Sequence, residues 1–283
     1  MKHLLAIRDL TADDLRAILA LSQQPAPKVL RDKGVALYFE KPSARTRNSM
    51  ELAAAQLGGH PVYLQPAELG IGVRESIEDV TRTLACYHAI IAARVFDHAL
   101  LEQMAAVNAA PVLNLLSATD HPLQALADLL TIEQLLGQIE GRKIAFVGEA
   151  HNVARSLAEG CARLGAEFVI ASPDGYGFEG ENIHQIADPA EAVAGADVVY
   201  ADVWVSMGDE ATAGVRRAAL APYRLDDALL DRAAPDAIAL HCLPAHPGEE
   251  ITAEVLYGPR QRIWDQAENR RHAQKALLEW LLG

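Results

Sequence analysis

The sequence predicts an α/β protein of two domains, each with a mainly parallel sheet flanked by helices. Three observations lead there. Short apolar runs alternate with amphipathic stretches along the chain, the rhythm of parallel strands that are buried on both faces and joined by helices. The 283 residues exceed the ~100–200 expected of one domain. A polar, glycine-flanked connection, LLGQIEGRK, divides the chain near its middle.

In the first half the runs VALYFE, PVYL, AIIAARV and PVLNLL read as strands, and in the second KIAFVG, EFVIAS, DVVYADV and AIALHCL. Helical spacing marks SIEDVTRTLACYH, LQALADLLTIEQLL, NVARSLAEGCARLG and AENRRHAQKALLEWLL. Gly137 and Gly141 flank the connection, which sets the expected domains at 1–137 and 138–283. The last helix, from about Ala267, can pack on either domain by sequence alone, and packing back on the first is the expectation.

Composition narrows the function. The 25 basic against 38 acidic residues, a net charge of −13, argue against nucleic acid as a partner, so an anionic substrate needs a locally concentrated basic pocket. Cys86, Cys161 and Cys242 are far apart and form no CxxC pair, which argues against a disulfide framework or structural zinc and fits a reducing cytoplasm. The start MKHLLAIRDLTADDL lacks the apolar core of a signal peptide, and no apolar stretch approaches the ~20 residues of a membrane span. A soluble, cytoplasmic protein is expected.

The segment FEKPSARTRNSMELAAAQLGG places a strand end near Glu40 and a helix start near Ser43. Helix-start amides and the positive end of the dipole attract anions, and Ser43, Arg45, Thr46 and Arg47 add two hydroxyls and two guanidinium groups there. A phosphate site and a plain N-cap with two solvated arginines both fit this pattern. The chain has neither GxxxxGKS/T nor GxGxxG, so the phosphate, if bound, belongs to a small molecule rather than a nucleotide.

FEKPSARTR resembles the FEKxSTRTR phosphate-binding signature of the aspartate/ornithine carbamoyltransferase family. LGIGVRESIEDV, DHPLQALADLLT, DVWVSMG, HCLPAHPGEE and AENRRHAQKALL follow in family order, and each is more similar to the ornithine branch than to the aspartate branch. The resemblance implies that carbamoyl phosphate is bound by Ser43, Arg45 and Thr46, by the backbone donor of Ala44, and by Arg94, His121, Gln124 and Arg270. Cys242 and Leu243 would orient the reacting amine and the carbamoyl NH₂, without a covalent thiol intermediate. L-Ornithine would be held by Asn152 and Met207 at its α-carboxylate and by Asp202 and Ser206 at its α-amine. Arg94, His121, Asp202 and Cys242 are the implied catalytic set, and the family implies a homotrimer.

The implied chemistry is coherent. Amine attack makes the carbonyl carbon tetrahedral, and Arg94, His121 and Thr46 are suited to stabilise the oxygen that gains charge. An alkyl amine with a pKa near ~10.4 arrives mostly protonated, so the site must favour its neutral form, with domain closure drying the site. No metal or organic cofactor is required: there is no HExxH among the ten histidines, and His241 with His246 is too little to define a site.

Without the resemblance, plainer readings stand: Arg94 and Arg270 as surface arginines, His121 as a helix-start histidine, Asn152 as an N-cap and Cys242 as a buried structural cysteine. Three departures from the family pattern are visible. Ala44 replaces a common Thr, Gly70 replaces a Gln that reaches a neighbouring subunit, and Glu149-Ala150-His151-Asn152 replaces DGNN. Two rival functions follow: transfer to another amine such as putrescine, lysine or an acylated ornithine, or a silent homologue that only binds ligand.

Overall fold

The computed structural model describes residues 1–178, 180, 183–205 and 210–283. Two compact units emerge, one formed by Met1–Leu130 with Glu268–Gly283 and the other by Thr131–Ala267. The division falls within the helix Pro122–Leu136, ahead of the glycine turn at Gly137. The last helix spans Ile263–Leu282, starting earlier than Ala267, and most of it belongs to the first unit.

The first unit holds a four-stranded sheet in the order β2-β1-β3-β4, with β1 at Gly34–Phe39, β2 at His60–Leu64, β3 at His88–Arg94 and β4 at Val112–Leu116. The second holds β5 at Lys143–Val147, β6 at Glu167–Ala171, β7 at Ile183–Ile186, β8 at Val198–Ala201 and β9 at Ile238–His241, ordered β7-β6-β5-β8-β9. Every pairing is parallel, as the α/β reading requires. All eight expected runs are strands. The ninth, β7, escaped the sequence reading because IHQI is short, polar and half exposed at a sheet edge.

Local chemistry explains the helix starts. Ser43 caps Ala44–Gln56 by accepting from Thr46 N, and Ser76 caps Ile77–Tyr87 by accepting from Asp79 N at 3.0 Å, with Glu78 and Asp79 facing the positive dipole end. The second helix buries Val80, Thr81 and Leu84 at helical spacing. In the second unit the core is built from the sheet residues Ala145, Val147, Val169, Val199 and Ala239, packed with Val193, Leu225, Leu230 and Ile251. Among the described residues no helix is long and apolar enough to cross a membrane.

Candidate active site

In both sheets the chain leaves one strand to opposite sides, and parallel sheets collect ligands at the carboxyl ends of strands where this reversal occurs. In the first unit the reversal lies between β1 and β3, and in the second between β5 and β8.

At the first, Phe39 and Arg94 stand opposite one another in register. Glu40 N donates to Arg94 O at 2.9 Å, and Glu40 Oε2 accepts from Phe96 N at 2.7 Å. Glu40 therefore ties the two strand ends together, a role the sequence reading missed because it treated the residue only as a strand end.

Beside this tie the helix Ala44–Gln56 begins, with Ser43 Oγ used as its cap and Thr46 buried. Arg45 is exposed at the helix start. Arg47 is engaged elsewhere, paired with Glu51 Oε1 at 2.7 Å and stacked 3.8 Å over the Tyr63 ring, so only Arg45 of that pair remains for an anion.

Arg270 is 5% exposed, which removes the surface-arginine reading. Its Nη1 donates to Gln124 Oε1 at 2.6 Å and its Nη2 to Thr46 Oγ1 at 3.0 Å. Gln124 Nε2 in turn donates to Asp128 Oδ1 at 2.8 Å, leaving a second lone pair on Oε1. Arg94 is also buried, and its Nε has no hydrogen-bond partner among the described residues. Burial, then the charges of Arg270 and Arg45, press the Arg94 guanidinium down to about 10. Like charges crowded together in a buried setting are costly, and an anion would relieve that cost.

His121 is buried, and burial, then Arg270 and Arg94, hold it well below the ordinary histidine range. It is therefore a neutral imidazole near pH 7, able to donate to an oxygen without adding to the positive charge around it. The loop before it is fixed by Asp120, which accepts from Arg8 at 2.7 and 3.2 Å and from Thr119 Oγ1 at 2.6 Å. Arg8 lies 112 positions away in sequence, so no local pattern advertised this support.

In the second unit β5 is followed by Gly148, whose φ of 110° and close approach to Trp204 Nε1 favour glycine; a Cβ there would come within 3.3 Å. The chain then enters the helix Asn152–Leu164 with His151 as N-cap, so Asn152 is the first helical residue rather than the cap. Asp202 follows β8. Its Oδ1 accepts from Val203 N at 2.8 Å and from the Cys242 thiol at 2.9 Å. Ser206 and Met207 lie outside the described residues.

Cys242 stands at the end of β9 in a strongly determined turn. His241 Nδ1 accepts from Leu243 N at 2.9 Å, which assigns the imidazole proton to Nε2, and Nε2 lies 3.1 Å from Glu250 Oε1. His241 N also donates to Gln266 Oε1 at 3.0 Å. These bonds hold Leu243 at a φ of 60°, an unfavourable region for a side chain of its size. Neither His241 nor Glu250 was singled out as support from sequence.

The altered turn after β5 forms a charged cluster. Arg216 Nη1 donates to both oxygens of Glu149, and His151 Nε2 lies 3.1 Å from Glu149 Oε1. Burial alone would raise the Glu149 carboxyl, but His151 and Arg216 hold it below its usual value. Burial opposes the charged form of His151, yet Glu149 and then Asp202 raise it above the ordinary range against repulsion from Arg216. Two groups have metal-binding side-chain types with ligand atoms within 4.8 Å of one another: Asp202, His241 and Cys242, and His246, Glu249 and Glu250.

Residues 2–134 match the carbamoyl-P binding domain of the aspartate/ornithine carbamoyltransferases, and residues 140–281 match the Asp/Orn binding domain. The chain belongs to the aspartate/ornithine carbamoyltransferase family. Among its relatives is the ornithine carbamoyltransferase of Hyperthermus butylicus, 47% identical over 306 residues that cover 100% of this chain and 98% of that protein. The solved ornithine carbamoyltransferase of Pyrococcus furiosus is 42% identical with a TM-score of 0.93, covering 98% of this chain and 96% of its own. That of Thermus thermophilus is 41% identical with a TM-score of 0.93, covering 100% and 99%. The family's two domain models thus fall one on each side of the connection around Gly137.

Proposed function

We propose that the protein is an ornithine carbamoyltransferase, which converts carbamoyl phosphate and L-ornithine into L-citrulline and phosphate. The observation that carries the proposal is the buried arrangement of Arg270 with Thr46 and Gln124, together with Arg94 and neutral His121. This set suits a small phosphate ester joined to a carbonyl. Arg45, Ser43, Thr46 and the Ala44 amide take the phosphate at the helix start. Arg94, Thr46 and His121 donate to the carbonyl oxygen as it gains charge, and Arg270 supplies fixed positive potential. Gln124, with its spare lone pair, accepts from the carbamoyl NH₂.

In the second unit Asp202 takes the α-ammonium with Ser206, while Asn152 and Met207 hold the α-carboxylate. The Cys242 thiol orients Asp202 by donating to it, and the backbone at Cys242 and Leu243 receives the reacting amine. The neutral δ-amine attacks the carbonyl carbon, the C–O bond to phosphate breaks, and the departing phosphate accepts the amine proton. Proximity and preorganised donors carry the rate, and this chemistry needs no metal or organic cofactor. Homotrimeric assembly and a cytoplasmic setting belong to the same reading, and the mass in solution by light scattering tests the trimer.

The test is product formation by purified protein given carbamoyl phosphate with ornithine, putrescine, lysine, N-acetylornithine or aspartate in separate reactions. Citrulline with ornithine and little product otherwise is expected. Preferred turnover of another amine would overturn the acceptor assignment alone. No turnover with any amine, from protein that still binds carbamoyl phosphate, would overturn the catalytic assignment.

A further inference from the structure

His246, Glu249 and Glu250 follow the HCLP segment and are not used by the chemistry proposed above. They share one turn, closed by Glu249 N donating to His246 O at 2.9 Å. Glu250 is fully buried, and its two oxygens are treated very differently. Oε1 accepts from His246 N at 2.6 Å and lies 3.1 Å from His241 Nε2. Oε2 is buried with no hydrogen-bond partner among the described residues and faces His246 Nδ1 at 3.7 Å, too far for a hydrogen bond. A buried carboxylate oxygen left without a donor is costly, and a cation is one way to satisfy it.

Glu249 completes the arrangement: one ligand atom from each of the three residues lies within 4.8 Å of the others. Its carboxylate is meanwhile held by Arg217 Nε at 3.0 Å. One imidazole and two carboxylates suit zinc or cobalt better than magnesium or calcium, which favour all-oxygen shells. Zinc bonds of about 2.0–2.2 Å place neighbouring tetrahedral ligand atoms roughly 3.3 Å apart, so the three side chains must tighten around the ion. Half-exposed His246 and partly exposed Glu249 have room to do so, while Glu250 serves as the fixed ligand.

We propose that His246, Glu249 and Glu250 form a binding site for a divalent transition-metal ion of the zinc or cobalt class, with water completing the coordination and Arg217 competing for Glu249. The site is distinct from the Asp202–His241–Cys242 group, which would offer a thiolate. Arg217 acts as an internal competitor, because its positive charge is paired with the carboxylate that the metal would share.

Titrating the purified full-length protein with Co²⁺, followed by visible absorption, and with Zn²⁺, followed by calorimetry, tests the site. The expected result is one ion per chain without a thiolate-to-cobalt charge-transfer band. His246→Ala should weaken binding at least ~10-fold, Arg217→Ala should tighten it, and Cys242→Ser should leave it unchanged. His246 and Arg217 are half exposed, so these substitutions leave the core intact. The proposal fails if no ion binds at millimolar metal, if His246→Ala binds as tightly as the parent, or if a thiolate band appears and vanishes in Cys242→Ser.

Discussion

Arg270 stands 224 positions from Thr46 in sequence, yet its Nη2 donates to Thr46 Oγ1 at 3.0 Å in a buried setting. With the bond to Gln124, it links the last helix to two other segments of the first unit. Arg270→Met keeps much of the bulk and removes both charge-assisted bonds, each worth about 1.5–3 kcal/mol. A fall in kcat/KM for carbamoyl phosphate of about 10²- to 10⁴-fold is expected in saturation kinetics. A change under threefold in a folded variant would remove Arg270 from the site.

Arg45 is exposed at the helix start, while Arg47 is occupied by Glu51 and Tyr63. Arg45→Ala should therefore raise KM for carbamoyl phosphate by roughly 10-fold or more and leave KM for ornithine within about twofold. Arg47→Ala should do neither. Equal effects of the two substitutions on carbamoyl phosphate would contradict the geometry.

Cys242 donates to Asp202, so the pair can be separated by experiment. Cys242→Ser preserves a donor and should retain turnover within about tenfold, whereas a covalent thiol role would abolish it. Asp202→Asn removes the charge facing the α-ammonium. It should lower the preference for ornithine over putrescine by about tenfold or more, measured as the ratio of kcat/KM values.

The Glu149–His151–Arg216 cluster makes stability depend on pH. His151 is raised in the folded protein by Glu149 and Asp202, despite burial and Arg216. Its stabilising contribution is therefore fully present below the unfolded histidine value near ~6.5 and is lost as pH rises through the higher folded value. The melting-temperature gap between the parent and His151→Asn should be widest below that unfolded value and should narrow above it. A gap that widens with rising pH would reverse the assigned sign.

The strands were legible wherever apolar runs were continuous, because a strand buried on both faces needs them; β7, at an edge, did not. The individual site residues came from motifs, but their supports did not. Glu40, Asp120, His241 and Glu250 act through backbone or distant partners, as in Arg8 with Asp120 and His241 with Leu243 N. Such partnerships leave no periodic trace along a chain. The turn Glu149-Ala150-His151 read as a departure from the family pattern, and only the fold shows that it recruits Arg216.

The strand order β7-β6-β5-β8-β9 has a consequence for biosynthesis. β5 is made first and ends in the middle, so a growing chain can zip β6 and β7 onto one side while the other side of β5 still awaits β8. Until Val198–Ala201 leaves the ribosome, a central strand rich in apolar residues presents an open ladder edge, the kind of surface on which nascent chains stick together. Chains cut short before Val198 should therefore aggregate more readily than chains that extend past Ala201.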